Sequence, residues 1–459
     1  MNPNLLLRWA VVATVASLSA CGGGGGNSIA PPPPPGSDRG TIQSASVAGT
    51  LSAAQIDASV ASAEAPLVGA GAKCPVKVVK LVYATIDPKG AVATASAGLL
   101  VPDGSGCAGP YPLLSQQHGT NTFSGFSQTS TSDGSVQSAA AMFASQGIVT
   151  VLPDYLGYGN SSIAYHPYLQ LENSAAVVID ALRAARHWLA GNGVVLDGKV
   201  FLSGTSEGGY ATLATQKVIE RENASEFALA AVGAGSGPYQ LSQTVAQFMA
   251  TPDSPDSSKT VYGSMIIVGL QKTYGDLYGN PVEIFNAQWS GGIEAASPGQ
   301  YSETQLYNNC IEPFNLKDPW TTGFPVFGSC STLPLLQGGF VTDFLNGTSL
   351  YNGSALALRT RLVAQDLLTG WTPVAPLGLC YGAPDTMAAP NAVLAQSYFT
   401  GRGFQKLTME EIDSDTTEPI KTWVATQEPL HPAGSGYHGK VEGPACLSWI
   451  RHNVIDPKR

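Results

Sequence analysis

The residues that could do chemistry gather around one serine. Gly204-Thr205-Ser206-Glu207-Gly208 is a G-x-S-x-G pattern. A serine hydroxyl is a poor nucleophile until a base takes its proton, and that base is commonly a histidine oriented by a carboxylate. The chemistry implied is acyl transfer. The chain contains 52 glycines, so chance would supply roughly half an occurrence of the pattern, and context must decide. The context fits: Val200–Ser203 reads as an apolar strand, and a small-residue helix runs from the serine to about Glu222. A serine on that sharp turn stands at a helix N-terminus, whose N–H groups favour developing negative charge.

The base must come from His118, His166, His187, His431, His438 or His452. In folds with this strand–turn–helix nucleophile the chain order is serine, acid, histidine, which leaves the last three. His452 falls near the end of a final helix read over Pro444–Asn453. His438 lies in GSGYHGKVEG (Gly434–Gly443), read as a Gly-rich loop just before that helix, and is the chosen base. His431 is the runner-up and reads as a turn histidine. For the acid, Leu379–Asp385 runs strand, glycine, carboxylate and singles out Asp385. Asp413, Asp415 and Glu418 sit in a charged stretch and read as solvated. An oxyanion needs two N–H donors. The backbone of Glu207 supplies one by position. The loop His118-Gly119-Thr120 supplies the other, through Thr120 or, second, Gly119. His118 then shapes that loop, and the Glu207 side chain is either a tuning carboxylate in the pocket or a solvated one.

These residues need a frame. Val76–Ile86 and Ala91–Val101 read as a hairpin joined by Asp87–Gly90. Tyr111–Gln117 reads as a strand, Ser135–Gln146 as a helix stopped by Gly147, and Ile148–Leu152 as a strand buried on both faces. Leu171–Ala190 has the clearest helical spacing, and Phe227–Val232 is another apolar strand. Strand alternating with helix predicts a mostly parallel central sheet flanked by helices. The alternation stops at Tyr239–Trp371, which is long, aromatic and partly helical, and resumes with a strand at Pro376–Tyr381. The expected organisation is a core over 74–238 and 372–459, with a mainly helical cap over 239–371 inserted before the acid. Thr41–Gly71 is small and polar, with one possible helix over Ser52–Ala63, and the fold is expected to begin near Cys74.

The 459-residue chain is long enough for a large core. Its charged residues make up only 12%, its net charge is −10, and lysine and arginine form no cluster. That argues against nucleic acid or anionic membranes as partners. Residues 1–20 read as a targeting segment: Arg8, then an apolar run over Trp9–Leu18 too short to span a bilayer as an ordinary helix. Leu18-Ser19-Ala20-Cys21 resembles a bacterial lipobox, which would make Cys21 a lipidated first residue, exported and held at a membrane, outer membrane or secreted. Gly22–Gly26 and Pro31–Pro35 cannot pack a core, and 21–73 reads as a tether and N-terminal segment. Six further cysteines remain, and in an oxidising compartment they imply three disulfides with fifteen possible pairings. The favoured set is Cys74–Cys107, Cys310–Cys330 and Cys380–Cys446, the last tying the acid strand to the helix after His438.

Four segments together resemble the secretory lipase branch of the α/β-hydrolases: QHGT (Gln117–Thr120), PDYLGYG with HPYL (Pro153–Gly159, His166–Leu169), GTSEGGYA (Gly204–Ala211) and CYGAPD (Cys380–Asp385). The resemblance implies an ester hydrolase with an acyl pocket under its cap and the triad Ser206, Asp385, His438. It also implies loop-holding roles for Asp154 and His166. The acid loop GAPDTMAAP is where this chain departs most from the family pattern. No metal or organic cofactor is implied; the expected partner is a small or polymeric ester. Two rivals stand beside this reading: a serine peptidase of the same fold, and a non-catalytic surface protein on a hydrolase scaffold.

Overall fold

A computed structural model describes residues 38–61, 64–250, 258–295, 299 and 335–459. Cys21, Cys310 and Cys330, and with them the lipidation site and the third disulfide, lie outside the described residues, as do the targeting segment and the Gly and Pro runs.

Nine strands form one sheet: β1 (Ile42–Leu51), β2 (Val76–Ile86), β3 (Val92–Pro102), β4 (Tyr111–Gln117), β5 (Val149–Pro153), β6 (Leu196–Thr205), β7 (Leu229–Gly235), β8 (Leu377–Tyr381) and β9 (Leu407–Glu411), ordered β1-β2-β3-β5-β4-β6-β7-β8-β9. The β2–β3 hairpin pairs Val76 with Pro102 through to Ile86 with Val92. Its turn is set by Asp87, whose Oδ1 accepts the N–H groups of Lys89 and Ala91, and by Gly90 at φ +81°. From β5 onward every pairing is parallel. Because these strands run parallel, the C-terminal ends of β4 through β9 share one edge. Open parallel sheets bind ligands at that edge.

Helices cover both faces. The short α1 (Ala53–Ser59) and α2 (Ala65–Val68) precede β2, and α3 (Gly134–Met142) starts at Asp133, whose side chain caps Ser135 and Val136. The long α4 (Leu171–Gly191) and α5 (Glu207–Glu222) pack on each other and on the sheet through a core of Val177, Val178, Leu182, Leu213 and Ala214. Between β7 and β8 the described residues form α6 (Leu241–Ala250), α7 (Ser258–Tyr274) and helices at Gly338–Asn346 and Ser354–Val363. Tyr210, fully buried on α5, donates its hydroxyl to the Gln365 carbonyl and ties this insertion to the core.

Two expectations change. The sheet begins at Ile42, not near Cys74. β1 pairs antiparallel with β2 but leaves most of its side chains exposed. An edge strand held by backbone pairing rather than burial carries little apolar pattern to read. The second change is at GSGYHGKVEG, which is helical: α turns at Gly434–Tyr437, a π segment at His438–Glu442, then Gly443–Trp449 and wide turns to Ile455 form one run. Packing of Tyr437, Val441 and Cys446 into the core overrides the glycines' low helix propensity. Disulfides join Cys74 to Cys107 and Cys380 to Cys446.

Candidate active site

Ser206 stands between β6 and α5 with φ +62° and ψ −126°, a conformation that non-glycine residues avoid. Its N–H donates to the Gly235 carbonyl on β7, and its carbonyl starts the α5 ladder by accepting from Tyr210. The flanking glycines have a steric cause. A Cβ on Gly204 would stand 2.4 Å from the Gly208 carbonyl oxygen, and one on Gly208 would stand 2.2 Å from that of Gln117. The turn is tight enough that only hydrogen fits at both places. The same closeness brings in the β4 loop: a Cβ on Gly119 would lie 3.6 Å from Cβ of Ser206. Thr120, next in the chain, is held through a 2.7 Å bond between its hydroxyl and that of Tyr168. The β4 loop that carries Gly119 and Thr120 thus packs against the serine turn. Glu207 opens α5, where the first N–H groups have no acceptor within the helix.

Asp385 and His438 meet. Nδ1 of His438 lies 2.5 Å from Oδ2 of Asp385, while Oδ1 of Asp385 accepts the N–H groups of Met387 and Ala388 at 2.7 and 2.8 Å. Burial alone would raise the Asp385 pKa. The charge and hydrogen bond of His438 outweigh it and hold this carboxyl well below the usual range. Burial disfavours the charged form of His438, but Asp385 and Glu442 more than compensate, so its pKa stands well above that of ordinary imidazole. Among the described residues, Nε2 of His438 has no hydrogen-bond partner. Ser206, Glu207, Asp385 and His438 all line one pocket. Its other walls are mainly apolar: Leu169, Pro238, Leu241 and Ile266 among them, with α6 and α7 supplying one side.

Behind the serine is a second histidine–carboxylate pair. Glu207, buried, lies 2.6 Å through Oε1 from Nε2 of His166, and Nδ1 of that ring faces the Leu156 carbonyl at 2.7 Å. His118 stacks on Tyr155 with ring centroids 4.2 Å apart, and its nitrogens face the carbonyls of Gly119 and Asp154. Asp154 accepts from Ser96, Ser127 and the Gln128 N–H; burial still pushes its pKa up to about 6.

The other candidates fall elsewhere. His431 does not line the pocket, and His452 faces Leu67 and Asp456. Asp413, read as solvated, instead accepts the Tyr437 hydroxyl and the Ala383 N–H and so fastens the acid loop. Glu442 was not singled out from sequence at all, yet it is fully buried with Oε2 3.1 Å from Nδ1 of His438. Its i,i+4 spacing from His438 would have pointed to it had the segment been read as helix.

The sheet order, the strained serine turn and the helical insertion between β7 and β8 define an α/β-hydrolase. The prolyl oligopeptidase family model matches residues 134–264, the stretch that holds the serine turn. No curated protein sequence matches significantly. Among solved structures, a ligand-bound form of the rice cell wall degrading esterase LipA from Xanthomonas oryzae superposes with a TM-score of 0.75. It is 32% identical, over 92% of this chain and 100% of that one. A putative hydrolase from Legionella pneumophila gives 0.65 at 22% identity, over 81% of this chain and 91% of its own. Candida antarctica lipase A in its closed state gives 0.54 at 15%, over 86% and 80%. The chain belongs to the α/β-hydrolase esterase family that includes the Xanthomonas protein.

Proposed function

We propose that this hydrolase is a serine carboxylic ester hydrolase working through an acyl-enzyme. The observation that supports this most is the pairing of a clamped Nδ1 with an unpartnered Nε2 on His438, in the pocket that Ser206 also lines. In this reading Nε2 takes the Ser206 proton as Oγ adds to the ester carbonyl. Asp385 fixes the ring's tautomer and stabilises the imidazolium. The amides of Glu207 and Thr120, with Gly119 beside them, receive the oxyanion. Collapse of the tetrahedral adduct expels the alcohol, protonated by His438, and water repeats the sequence to free the acid. The apolar walls suit an uncharged acyl group. The Xanthomonas relative is named for degrading rice cell wall, so esters of plant cell-wall polymers are among the substrates to try.

The prolyl oligopeptidase match keeps a peptidase in view. An aminopeptidase needs a carboxylate for the substrate amine. Glu207, the residue after Ser206, is buried and engages His166 through Oε1, while its Oε2 has no partner among the described residues, so it is the one group a peptidase reading would call on. The two readings separate on p-nitrophenyl butyrate against aminoacyl p-nitroanilides. We expect turnover of the ester alone; cleavage of the anilides at comparable kcat/KM would reverse the assignment.

Export with a lipid anchor at Cys21 rests on sequence alone. Among the described residues no helix is long and apolar enough to cross a membrane. The mass of the mature N-terminal peptide tests the anchor: an unmodified Met1 terminus would rule it out.

A further inference from the structure

Two carboxyls, not one, face the imidazole of His438. Glu442 follows it by one helical turn on the π segment, and its side chain is completely buried. One oxygen, Oε2, lies 3.1 Å from Nδ1 of His438; the other, Oε1, accepts the Gly382 N–H at 2.7 Å. Gly382 opens the acid loop directly after β8, three residues before Asp385. A Cβ at Gly382 would stand 2.2 Å from the Tyr437 hydroxyl, so helix and loop are in tight contact there. The side chain of Glu442 therefore bridges the element that carries the base and the loop that carries the acid. A carboxyl is costly to bury unless its oxygens find partners, and both oxygens of Glu442 do.

We propose that Glu442 is a positioning residue of the triad: it clamps the His438 helix to the Asp385 loop, and its ionisation sets the pH at which His438 becomes free to act as a base. This rests on the triad reading above. Burial first, and then the Asp385 charge, push the Glu442 pKa up to about 8, against the pull of His438. The titratable groups that face it are Asp385 on the β8 loop, His438 on its own helix, Tyr239 after β7, and Tyr437, whose hydroxyl is held by Asp413. Near neutral pH Glu442 holds its proton; as it ionises, the added negative charge stabilises the imidazolium. The two protons are thus coupled and come off as a cluster. The sign follows. His438 must be neutral to accept the serine proton, so kcat/KM rises with pH as the ring deprotonates. A second carboxylate beside the ring delays that rise. Removing it moves the acid limb to lower pH.

The test is the pH profile of kcat/KM on p-nitrophenyl butyrate, with spontaneous hydrolysis subtracted, for the parent, Glu442→Gln, Glu442→Ala, Ser206→Ala and His438→Ala. The isosteric glutamine keeps an oxygen for Gly382 but carries no charge. We expect its acid limb to fall by about one pH unit, with kcat down about threefold and KM unchanged. The alanine variant should show the same shift plus about a tenfold loss of kcat, because the clamp to Gly382 is lost as well. If Glu442→Ala fails to fold, the glutamine variant decides. A Glu442→Gln profile that superposes on the parent would overturn the proposal and leave Glu442 a packing residue. Retained activity in Ser206→Ala or His438→Ala would instead overturn the triad beneath it, whatever Glu442 does.

Discussion

Two histidine–carboxylate pairs flank Ser206, and they differ in what is left over. At His166 both ring nitrogens are engaged, one by the Leu156 carbonyl and one by Glu207, and the side chain is 4% exposed. At His438, among the described residues, only Nδ1 is engaged; the side chain is 16% exposed, and the ring reaches the pocket. The same two residue types therefore serve opposite ends. A ring with no free nitrogen has nothing to offer a substrate; in the proposed mechanism His166 is a strut behind the serine turn. A ring clamped on one nitrogen is oriented and available on the other, which is the arrangement general base catalysis needs. What distinguishes them is unspent hydrogen-bonding capacity, together with the pocket that His438 lines and His166 does not.

The largest expected effect separates the two rings. His438→Ala should lower kcat by about ten-thousandfold, the scale of losing a triad member. His166→Ala should keep kcat within about tenfold below its melting temperature. It should lose about 3–5 kcal/mol of stability, because Glu207 would be left buried without its partner. Steady-state kinetics alongside urea denaturation reads both. Equal kinetic losses for the two variants would break the distinction between strut and base. A smaller effect sharpens the oxyanion side. Thr120→Val removes the hydroxyl bond to Tyr168 and should cost about 1 kcal/mol. Its kcat should fall severalfold with KM steady if the loop's amides act in the transition state. A rise in KM alone would place that loop in substrate binding instead.

Much of this frame is legible in the sequence because its signals are local. The β2–β3 hairpin announces itself through Asp87–Gly90, β5 through an unbroken apolar run, and the serine turn through glycines that the backbone contacts demand. Asp385 and His438 are 53 residues apart, and chain order rather than any local pattern picks them out. Three things resist reading, each for a physical reason. β1 is an edge strand with little buried surface. The Gly434–Glu442 stretch is helical because of what its few large side chains pack against, not because of its own propensity. The Glu207–His166 pair spans 41 residues and joins two segments whose only shared property is where the sheet edge puts them. Glu442 was lost with the helix: read as loop, it has no fixed relation to His438; read as helix, it lies beneath it. The tie from β8 to the C-terminal helix, Cys380–Cys446, is the one long-range contact there that residue type alone could suggest.

The central claim is that Ser206 is the nucleophile of an acyl-enzyme. Incubating the protein with a p-nitrophenyl dialkyl phosphate, which transfers a phosphoryl group to an activated serine and releases p-nitrophenol, tests it directly. Intact mass and peptide mapping should show one adduct per chain, on Ser206, with activity lost in proportion and no labelling of Ser206→Ala. Stoichiometric labelling at another residue, or full labelling of Ser206 without loss of ester hydrolysis, would contradict the account.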